Sequence, residues 1–243
     1  MVERWLASYT DIIVNISESE AKFAEKFGLA REKQVIIYNG ISTAGPQIVD
    51  RVTLEPDKIN LVFAGRHDRQ KGLDFLIAAM KQVVDSPVHL HVIGSIIRAR
   101  KPISGEIPPN VTFYGWLPRN RVAAYISAGD AVVMPSRWEG FGLVAVEAMR
   151  AERPVIASDR GALPELVIDG KTGIIFPMDN LPEFVQTLKS LDPTILRMLG
   201  KNALSHFLKN FTADRMNKEL LDLYAALVAD GEQVEGSGRV GAC

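Results

Sequence analysis

Two carboxylates and two cations in this sequence are spaced so that they could surround one charged, hydroxylated ligand. Glu139 and Glu147 lie in the stretch MPSRWEGFGLVAVEAM (residues 134–149), with seven residues between them. Arg66 and Lys71 come soon after the apolar run INLVFA. A guanidinium and an ammonium that converge on a helix N-terminus can hold a diphosphate. A carboxylate accepts two hydrogen bonds at once, which suits a vicinal diol.

Glycines between the two carboxylates predict an anion site at the start of a helix. The apolar helical pattern begins near Leu143, so the backbone N–H groups of Gly142, Leu143 and Val144 are among its unpaired donors. Gly140 and Gly142 would let an anion approach those donors closely. Glu147 lies about one turn inside this helix, where burying a carboxylate without hydrogen-bond partners is expensive. We therefore expect Glu147 to face a polar ligand.

Each of these residues also has an ordinary structural interpretation. Arg66 and Lys71 could be solvated loop cations at the end of a strand, and Glu147 could pair with Arg150, three positions further on. Trp116 could stack on a nucleobase or simply anchor its loop in the core. Spacing alone leaves these alternatives open.

Short β-rich runs alternate with helical patterns, which predicts an α/β fold with a doubly wound parallel sheet. The strand candidates are DIIVNI (11–16), QVIIY (34–38), INLVFA (59–64), VHLHVI (88–93), VTFY (111–114), DAVVM (130–134), PVIA (154–157) and GIIF (173–176). Ligands of such sheets bind at the carboxyl ends of the strands. Gly65, Gly94, Trp116 and Leu117 follow strands of the main repeat and are further candidates for ligand contact.

Composition excludes several classes of protein. The 243 residues carry a net charge of −1, so no general attraction to nucleic acid is expected. The single cysteine, Cys243, cannot form an internal disulfide, and no apolar run approaches the roughly 18 residues that span a bilayer. His89 and His91 share one strand but lack the further ligands of a metal site. We expect a cytoplasmic protein without a metal, and leave peripheral contact with the inner membrane face open.

Five ordered segments resemble the family 4 retaining glycosyltransferases of the GT-B fold. They are FAGRHDRQKG, FYGWLP, AGDAVVMPSRWEGFGLVAVEAM, PVIASDRGALPELV and DGKTGIIFP, and Glu139 and Glu147 match the E-x7-E motif of the family. TDIIVNISESEAKFAEKFGLAREKQVIIYNGI resembles the end of that family's N-terminal domain and its hinge. FTADRMNKELLDLYAAL is similar to the terminal helix that packs back across both domains. The resemblance covers roughly residues 5–228.

The resemblance implies a division of the chain and a role for each site residue. The implied segments are a remnant of the N-terminal acceptor domain with the hinge (1–45), a Rossmann-like nucleotide-sugar-binding domain (46–210), a C-terminal crossover helix (211–228) and a disordered tail (229–243). Arg66 and Lys71 would hold the diphosphate, Glu147 the ribose, and Glu139 the transferred sugar. The remaining donor-binding residues would be Gly65, Gly94, Trp116, Leu117, Gly140, Phe141, Gly142 and Leu143.

The predicted function is sugar transfer with retention, from a UDP- or GDP-sugar to a glycan or lipid-linked acceptor in glycan or polysaccharide synthesis. No cofactor or metal is implied. The strand–helix–strand remnant would expose apolar strands, so we expect self-association, or a partner chain, through residues 1–40. The alternative is a non-catalytic nucleotide-sugar-binding module, or the partner subunit of a split transferase. A nucleotide-sugar epimerase would need additional acid–base residues, and a dinucleotide oxidoreductase would need a G-x-G-x-x-G after the first strand.

Overall fold

The computed structural model describes residues 2–7, 9–48, 51–95 and 106–237 of the chain. The strands are β1 Ile13–Asn15, β2 Gln34–Ile36, β3 Ile59–Ala64, β4 Val88–Ile93, β5 Val111–Gly115, β6 Ala131–Met134, β7 Val155–Ser158 and β8 Gly173–Phe176. The α-helices are α1 Val2–Ala7, α2 Glu18–Lys26, α3 Leu73–Met80, α4 Arg119–Ala128, α5 Leu143–Arg150, α6 Leu163–Leu166, α7 Leu181–Lys189, α8 Pro193–Asn210 and α9 Ala213–Ser237. Arg31–Lys33 form a short 3-10 helix.

Strands β3 to β8 form one parallel sheet in the order β5-β4-β3-β6-β7-β8. From β3 the chain proceeds outward through β4 and β5, then returns to place β6 on the other side of β3. The order therefore reverses between β3 and β6. Ligands of doubly wound sheets bind at such a reversal.

The predicted doubly wound architecture is confirmed by hydrophobic cores on both faces of the sheet. Leu61 and Phe63 of β3 point into the core covered by α3 and α7. Val62, between them, points into the core covered by α4, α5 and α8. Strands buried on both faces read as continuous apolar runs, which is why INLVFA was recognisable as a strand in the sequence.

The N-terminal strand–helix–strand unit packs beside the start of α5. β1 and β2 pair in parallel, with α2 between them in the chain. The Tyr38 ring lies 6.2 Å from the Phe141 ring and 6.0 Å from the Phe211 ring, measured between centroids. Ile41 bridges to Thr212, so the segment that leaves this unit also pairs with the chain entering α9.

The elements differ from the predicted ones mainly at the two ends of the chain. α1 was not predicted. The predicted disordered tail, 229–243, overlaps α9, which continues as a helix to Ser237; residues 238–243 lie outside the described ranges. The glycines of this segment suggested a loop, but glycine costs only about 1 kcal/mol in a helix and does not by itself end one.

A polar network crosses the buried strands β3, β4 and β5. His91 bonds through Nε2 to Asn60 Oδ1 at 2.8 Å and through Nδ1 to the Tyr114 hydroxyl at 2.9 Å. His89 bonds to Thr112 Oγ1 at 2.9 Å. Both histidines are therefore structural strand residues, as expected. Within the described ranges, no group of three or more His, Cys, Asp or Glu could hold a metal ion.

Because of His91, the free energy of unfolding should decrease as the pH falls from about 6.5 to about 4. Burial, assisted by the neighbouring His89, lowers the pKa of His91 from 6.5 to about 4. In that window the unfolded chain binds a proton that the folded chain does not, so the free energy of unfolding decreases as pH falls. Urea unfolding of the wild type and His91→Gln at pH 7.5 and pH 4.5 should show a smaller decrease in the variant. Equal decreases would contradict this role.

Candidate active site

The loop after β3 passes directly beneath the loop after β6. Gly72 adopts a left-handed conformation with φ of 68°, and a Cβ placed there would lie 1.8 Å from the carbonyl oxygen of Pro135. Only glycine allows this approach. α3 begins at the next residue, so the side chain of Lys71 emerges at the N-terminal end of that helix, beside the loop from β6.

A partly buried ion pair joins the two loops. Lys71 Nζ lies 2.6 Å from Glu139 Oε2, and the two side chains are 19% and 10% exposed. Ser136 donates from its hydroxyl to the same carboxylate oxygen at 3.0 Å. Asp68 Oδ1 accepts the backbone N–H of Lys71 at 3.0 Å, which fixes the chain leading into the pair. These contacts hold an ammonium and a carboxylate at the reversal point of the sheet.

Further contacts tie the same loops together on the outside. Arg137 donates two 2.7 Å hydrogen bonds to the Asp74 carboxylate, and its backbone N–H donates to the carbonyl of Gln70 at 2.8 Å. Burial acts to raise the pKa of Asp74, but the hydrogen bonds and charge of Arg137 outweigh it and lower that pKa. Arg66 contacts Gln70 Oε1 at 2.8 Å and Asp68 Oδ2 at 3.4 Å. Both loops are therefore held in place without a ligand.

Two adjoining cavities open at this edge of the sheet. The first, here named the glutamate pocket, has a volume of about 360 Å³ and is lined by Ile16, Asn39, Lys71, Met134, Glu139, Gly140, Phe141, Gly142, Leu143 and Val144. The second, the tryptophan pocket, has about 290 Å³ and is lined by Ala64, Gly65, Arg66, Ile93, Gly94, Ser95, Trp116, Leu117, Val122 and Val144. Val144, in the first turn of α5, is the residue common to both linings.

The family model described as "Glycosyl transferases group 1" matches residues 58–191, which is more than half of the chain. The chain belongs to this family. A Klebsiella pneumoniae protein described as "Uncharacterized 41.2 kDa protein in cps region" is 37% identical over 196 residues, covering 78% of this chain and 54% of that protein. The chain spans about half the length of the curated relatives it matches.

Solved glycosyltransferase structures share the fold. Sucrose-phosphate synthase from Thermosynechococcus elongatus aligns with a TM-score of 0.77 and 28% identity, over 90% of this chain and 59% of that one. Alr3699/HepE of Anabaena, solved with UDP and glucose, aligns with a TM-score of 0.76 and 20% identity, over 89% of this chain and 63% of that one. The predicted GT-B type of fold is thereby confirmed.

In this chain most of the predicted site residues come together. Gly65, Arg66, Gly94, Trp116 and Leu117 line the tryptophan pocket. The predicted residues Lys71, Glu139, Gly140, Phe141, Gly142 and Leu143 line the glutamate pocket. The Trp116 side chain is not anchored in the core, because the residue is 72% exposed. The direct contact between Lys71 and Glu139 was not predicted, since their roles were assigned to different parts of a ligand.

Glu147 lies apart from both of these pockets. It lines a third cavity of about 180 Å³, whose lining also includes Thr43, Gly45, Pro46, Ile48, Arg119, Ala123, Ile126, Ser127, Arg150 and Ala151. Its carboxylate pairs with Arg119 of α4 at 3.4 Å, a partner that the sequence did not suggest. Arg150, the partner considered from the sequence, donates to the carbonyl of Ser42 at 3.1 Å. Val144 lies three positions before Glu147, so one helical turn separates this carboxylate from the two-pocket site.

Sequence reasoning missed the residues that support Glu139. Ser136 is three positions from Glu139, and a hydroxyl at that spacing in a short loop was a detectable signal. Ile16 and Asn39 reach the glutamate pocket from the N-terminal unit, and no local pattern places them there.

Among the described residues, no helix is long and apolar enough to cross a membrane.

Substituting Gly72 should destabilise the protein far more than substituting a comparable glycine elsewhere. Gly72→Ala meets both a left-handed backbone and the Pro135 carbonyl, whereas Gly170 has a similar φ of 66° with nothing within 4 Å of the added Cβ. The backbone penalty alone is about 1–2 kcal/mol. Urea unfolding should show roughly that loss for Gly170→Ala and a clearly larger one for Gly72→Ala. Equal losses would mean that the two loops separate without penalty.

Proposed function

We propose that this chain is the donor-binding half of a retaining glycosyltransferase that uses a nucleotide-sugar. The observation that carries the proposal is the Lys71–Glu139 pair, held at the reversal point of the sheet in front of the first turn of α5. A cation and a helix N-terminus suit a diphosphate, and a carboxylate suits sugar hydroxyls. A site built for both groups matches the chemistry of a nucleotide-sugar.

The adjoining pockets divide the proposed donor into two parts. The tryptophan pocket, with its exposed indole ring, would take the nucleoside, and the glutamate pocket would take the sugar. The diphosphate would lie between them, near Val144, where Arg66 approaches from one pocket and Lys71 from the other. The amides of Gly142 and Leu143 would face it from the start of α5. Complexes of the Anabaena protein with UDP and with UDP-glucose support a UDP-sugar as the first donor to test.

Departure of the nucleoside diphosphate is the demanding step of such a transfer. Fixed cations and backbone amides stabilise the negative charge that develops on the leaving group, without a proton transfer. When a donor binds, Lys71 would exchange part of its contact with Glu139 for a phosphate oxygen. Glu139 would then accept hydrogen bonds from the sugar. No metal is needed in this scheme, because the protein supplies the positive charge.

Glu147 would contact the ribose only after leaving Arg119. That ion pair is inexpensive to break, because the Arg119 side chain is 73% exposed and exposed pairs contribute at most about 1 kcal/mol. Two ribose hydroxyls would replace the guanidinium as hydrogen-bond donors to the carboxylate. The acceptor would be a glycan or a lipid-linked sugar, and the cps-region relative supports a role in polysaccharide synthesis.

Lys71→Ala should weaken binding of a nucleotide-sugar by about 10- to 150-fold. Loss of a charge-assisted contact costs on the order of 1.5–3 kcal/mol. The control is Lys81→Ala, at the other end of α3. Both variants are titrated calorimetrically with UDP-glucose and with GDP-mannose in the presence of a chelator. Lys81→Ala should bind with wild-type affinity, and Lys71→Ala should not.

The outcomes of this titration separate the parts of the proposal. Unchanged affinity in Lys71→Ala would remove the diphosphate assignment. Wild-type binding that disappears with the chelator would refute the metal-free scheme. Binding of neither nucleotide-sugar by the wild type would remove UDP- and GDP-sugars as donors.

Self-association through residues 1–40 is a further part of the proposal. The rings of Phe23 in α2 and of Phe27 directly after it are tilted against each other with centroids 4.7 Å apart, and the two residues are 63% and 56% exposed. Large contiguous apolar patches on a protein surface mark interaction sites, and this pair would be part of such a patch. Light scattering should show a larger mass for the wild type than for Phe23→Ser/Phe27→Ser. The control, Leu221→Ser/Tyr224→Ser on α9, removes similarly exposed apolar side chains and should leave the mass unchanged. A monomeric wild type would contradict the proposal.

A further inference from the structure

The beginning of α2 contacts the loop that carries Glu139. Ser17 is fully buried and caps α2, its hydroxyl oxygen accepting the backbone N–H of Glu20 at 3.0 Å. The same hydroxyl donates to the carbonyl of Gly140 at 2.9 Å, across 123 positions of the chain. One side chain therefore both begins a helix of the N-terminal unit and holds the residue next to Glu139.

A carboxylate from the main domain fixes the same helix start. Glu165 of α6 accepts the backbone N–H of Glu18 and that of Ser19, each at 2.7 Å, with one oxygen for each. A negative charge at a helix N-terminus is stabilising, and hydrogen bonds to a carboxylate are among the stronger ones. Tyr38 adds a 3.4 Å contact from its hydroxyl to the same carboxylate. Burial first, and then the charge of Glu165, raises the pKa of Tyr38. The phenol therefore remains a donor.

The two peptide groups that follow Glu139 are each held by a hydrogen bond from a different part of the protein. The carbonyl of Glu139 accepts the backbone N–H of Ala162 at 3.0 Å, just before α6. Gly161 comes so close that a Cβ there would lie 2.2 Å from that carbonyl oxygen. The carbonyl of Gly140 accepts a hydrogen bond from the Ser17 hydroxyl of the N-terminal unit. Two successive carbonyls are therefore fixed, one by the main domain and one by the N-terminal unit.

We propose that Ser17 is a positioning residue for the sugar half of the donor site. Acting through Gly140, it would hold the loop so that Glu139 faces the glutamate pocket, and Glu165 would hold Ser17 in register with that loop. This inference rests on the proposed function. Ile16, the residue before Ser17, lines the glutamate pocket but not the tryptophan pocket. Loss of the Ser17 hydroxyl should therefore alter contacts with the sugar and leave contacts with the nucleoside intact.

The test compares binding of UDP with binding of UDP-glucose in matched variants. Ser17→Ala should reduce UDP-glucose affinity by about 2- to 13-fold, the range expected for one neutral hydrogen bond, with UDP affinity within about twofold of the wild type. Ser17→Thr keeps a hydroxyl and should restore most of the loss. Ser19→Ala is the control, because Ser19 contacts Glu165 through its backbone N–H, which this substitution retains. Glu165→Gln, like Ser17→Ala, should weaken binding of UDP-glucose more than binding of UDP.

Each result has a defined meaning. A wild-type ratio of UDP to UDP-glucose affinity in Ser17→Ala and Glu165→Gln would overturn the inference and leave the donor-binding proposal intact. Equal losses for both ligands would also overturn it, because a general loosening of the fold affects the nucleoside and the sugar alike. If the wild type binds neither ligand, nor GDP and GDP-mannose as a second pair, the proposed function fails and the inference fails with it.

Discussion

The close approach of two loops at the reversal point of the sheet determines the rest of the site. Because glycine has no side chain, the loop after β3 fits under the carbonyl of Pro135 at Gly72. That fit brings Lys71 to Glu139, one from each of the two loops. Partial burial of such a pair has a desolvation cost, which is offset only when the charges are close and otherwise hydrogen-bonded. The 2.6 Å contact and the hydroxyl of Ser136 meet both conditions.

In the proposed function, each member of this pair would exchange its partner for a group of the donor. A phosphate can replace the carboxylate beside Lys71, and sugar hydroxyls can replace the ammonium beside Glu139. The protein thus keeps both groups desolvated and oriented before a donor arrives. In the proposed function, Lys71 and Glu139 would need little reorganisation when the donor binds, whereas Glu147 would first have to leave Arg119. Charges that are oriented in advance are the ones that stabilise a leaving group effectively.

The fold was largely predictable because its strands are continuous apolar runs. INLVFA and VHLHVI match β3 and β4 residue for residue, since both faces of these strands are covered. The glycine-flanked Glu139 and the cations after β3 were also visible, because their signals are local. The part of α9 up to residue 228 was predicted as well, whereas its continuation to Ser237 was not, since glycine in that segment resembles a loop signal.

Long-range partners were beyond the reach of the sequence. The Ser17–Gly140 hydrogen bond joins residues 123 positions apart, and a serine at a helix start is fully explained by capping alone. Glu147 was expected to meet the ligand or Arg150, but the packing of α4 against α5 brings Arg119 to it instead. Such contacts depend on how elements pack together, and local periodicity carries no information about that packing.

Val144 lines both the tryptophan pocket and the glutamate pocket, and this has an evolutionary consequence. The tryptophan pocket is lined mainly by the loops after β3, β4 and β5, and the glutamate pocket by the loop after β6, the N-terminal unit and Lys71 of the loop after β3. Under the proposed function, substitutions at Trp116 or Leu117 would change the base that is accepted without altering the glutamate pocket, and substitutions at Ile16 or Asn39 would change the sugar without altering the tryptophan pocket. Val144 is exempt from that freedom, because any change in its size alters both compartments at once.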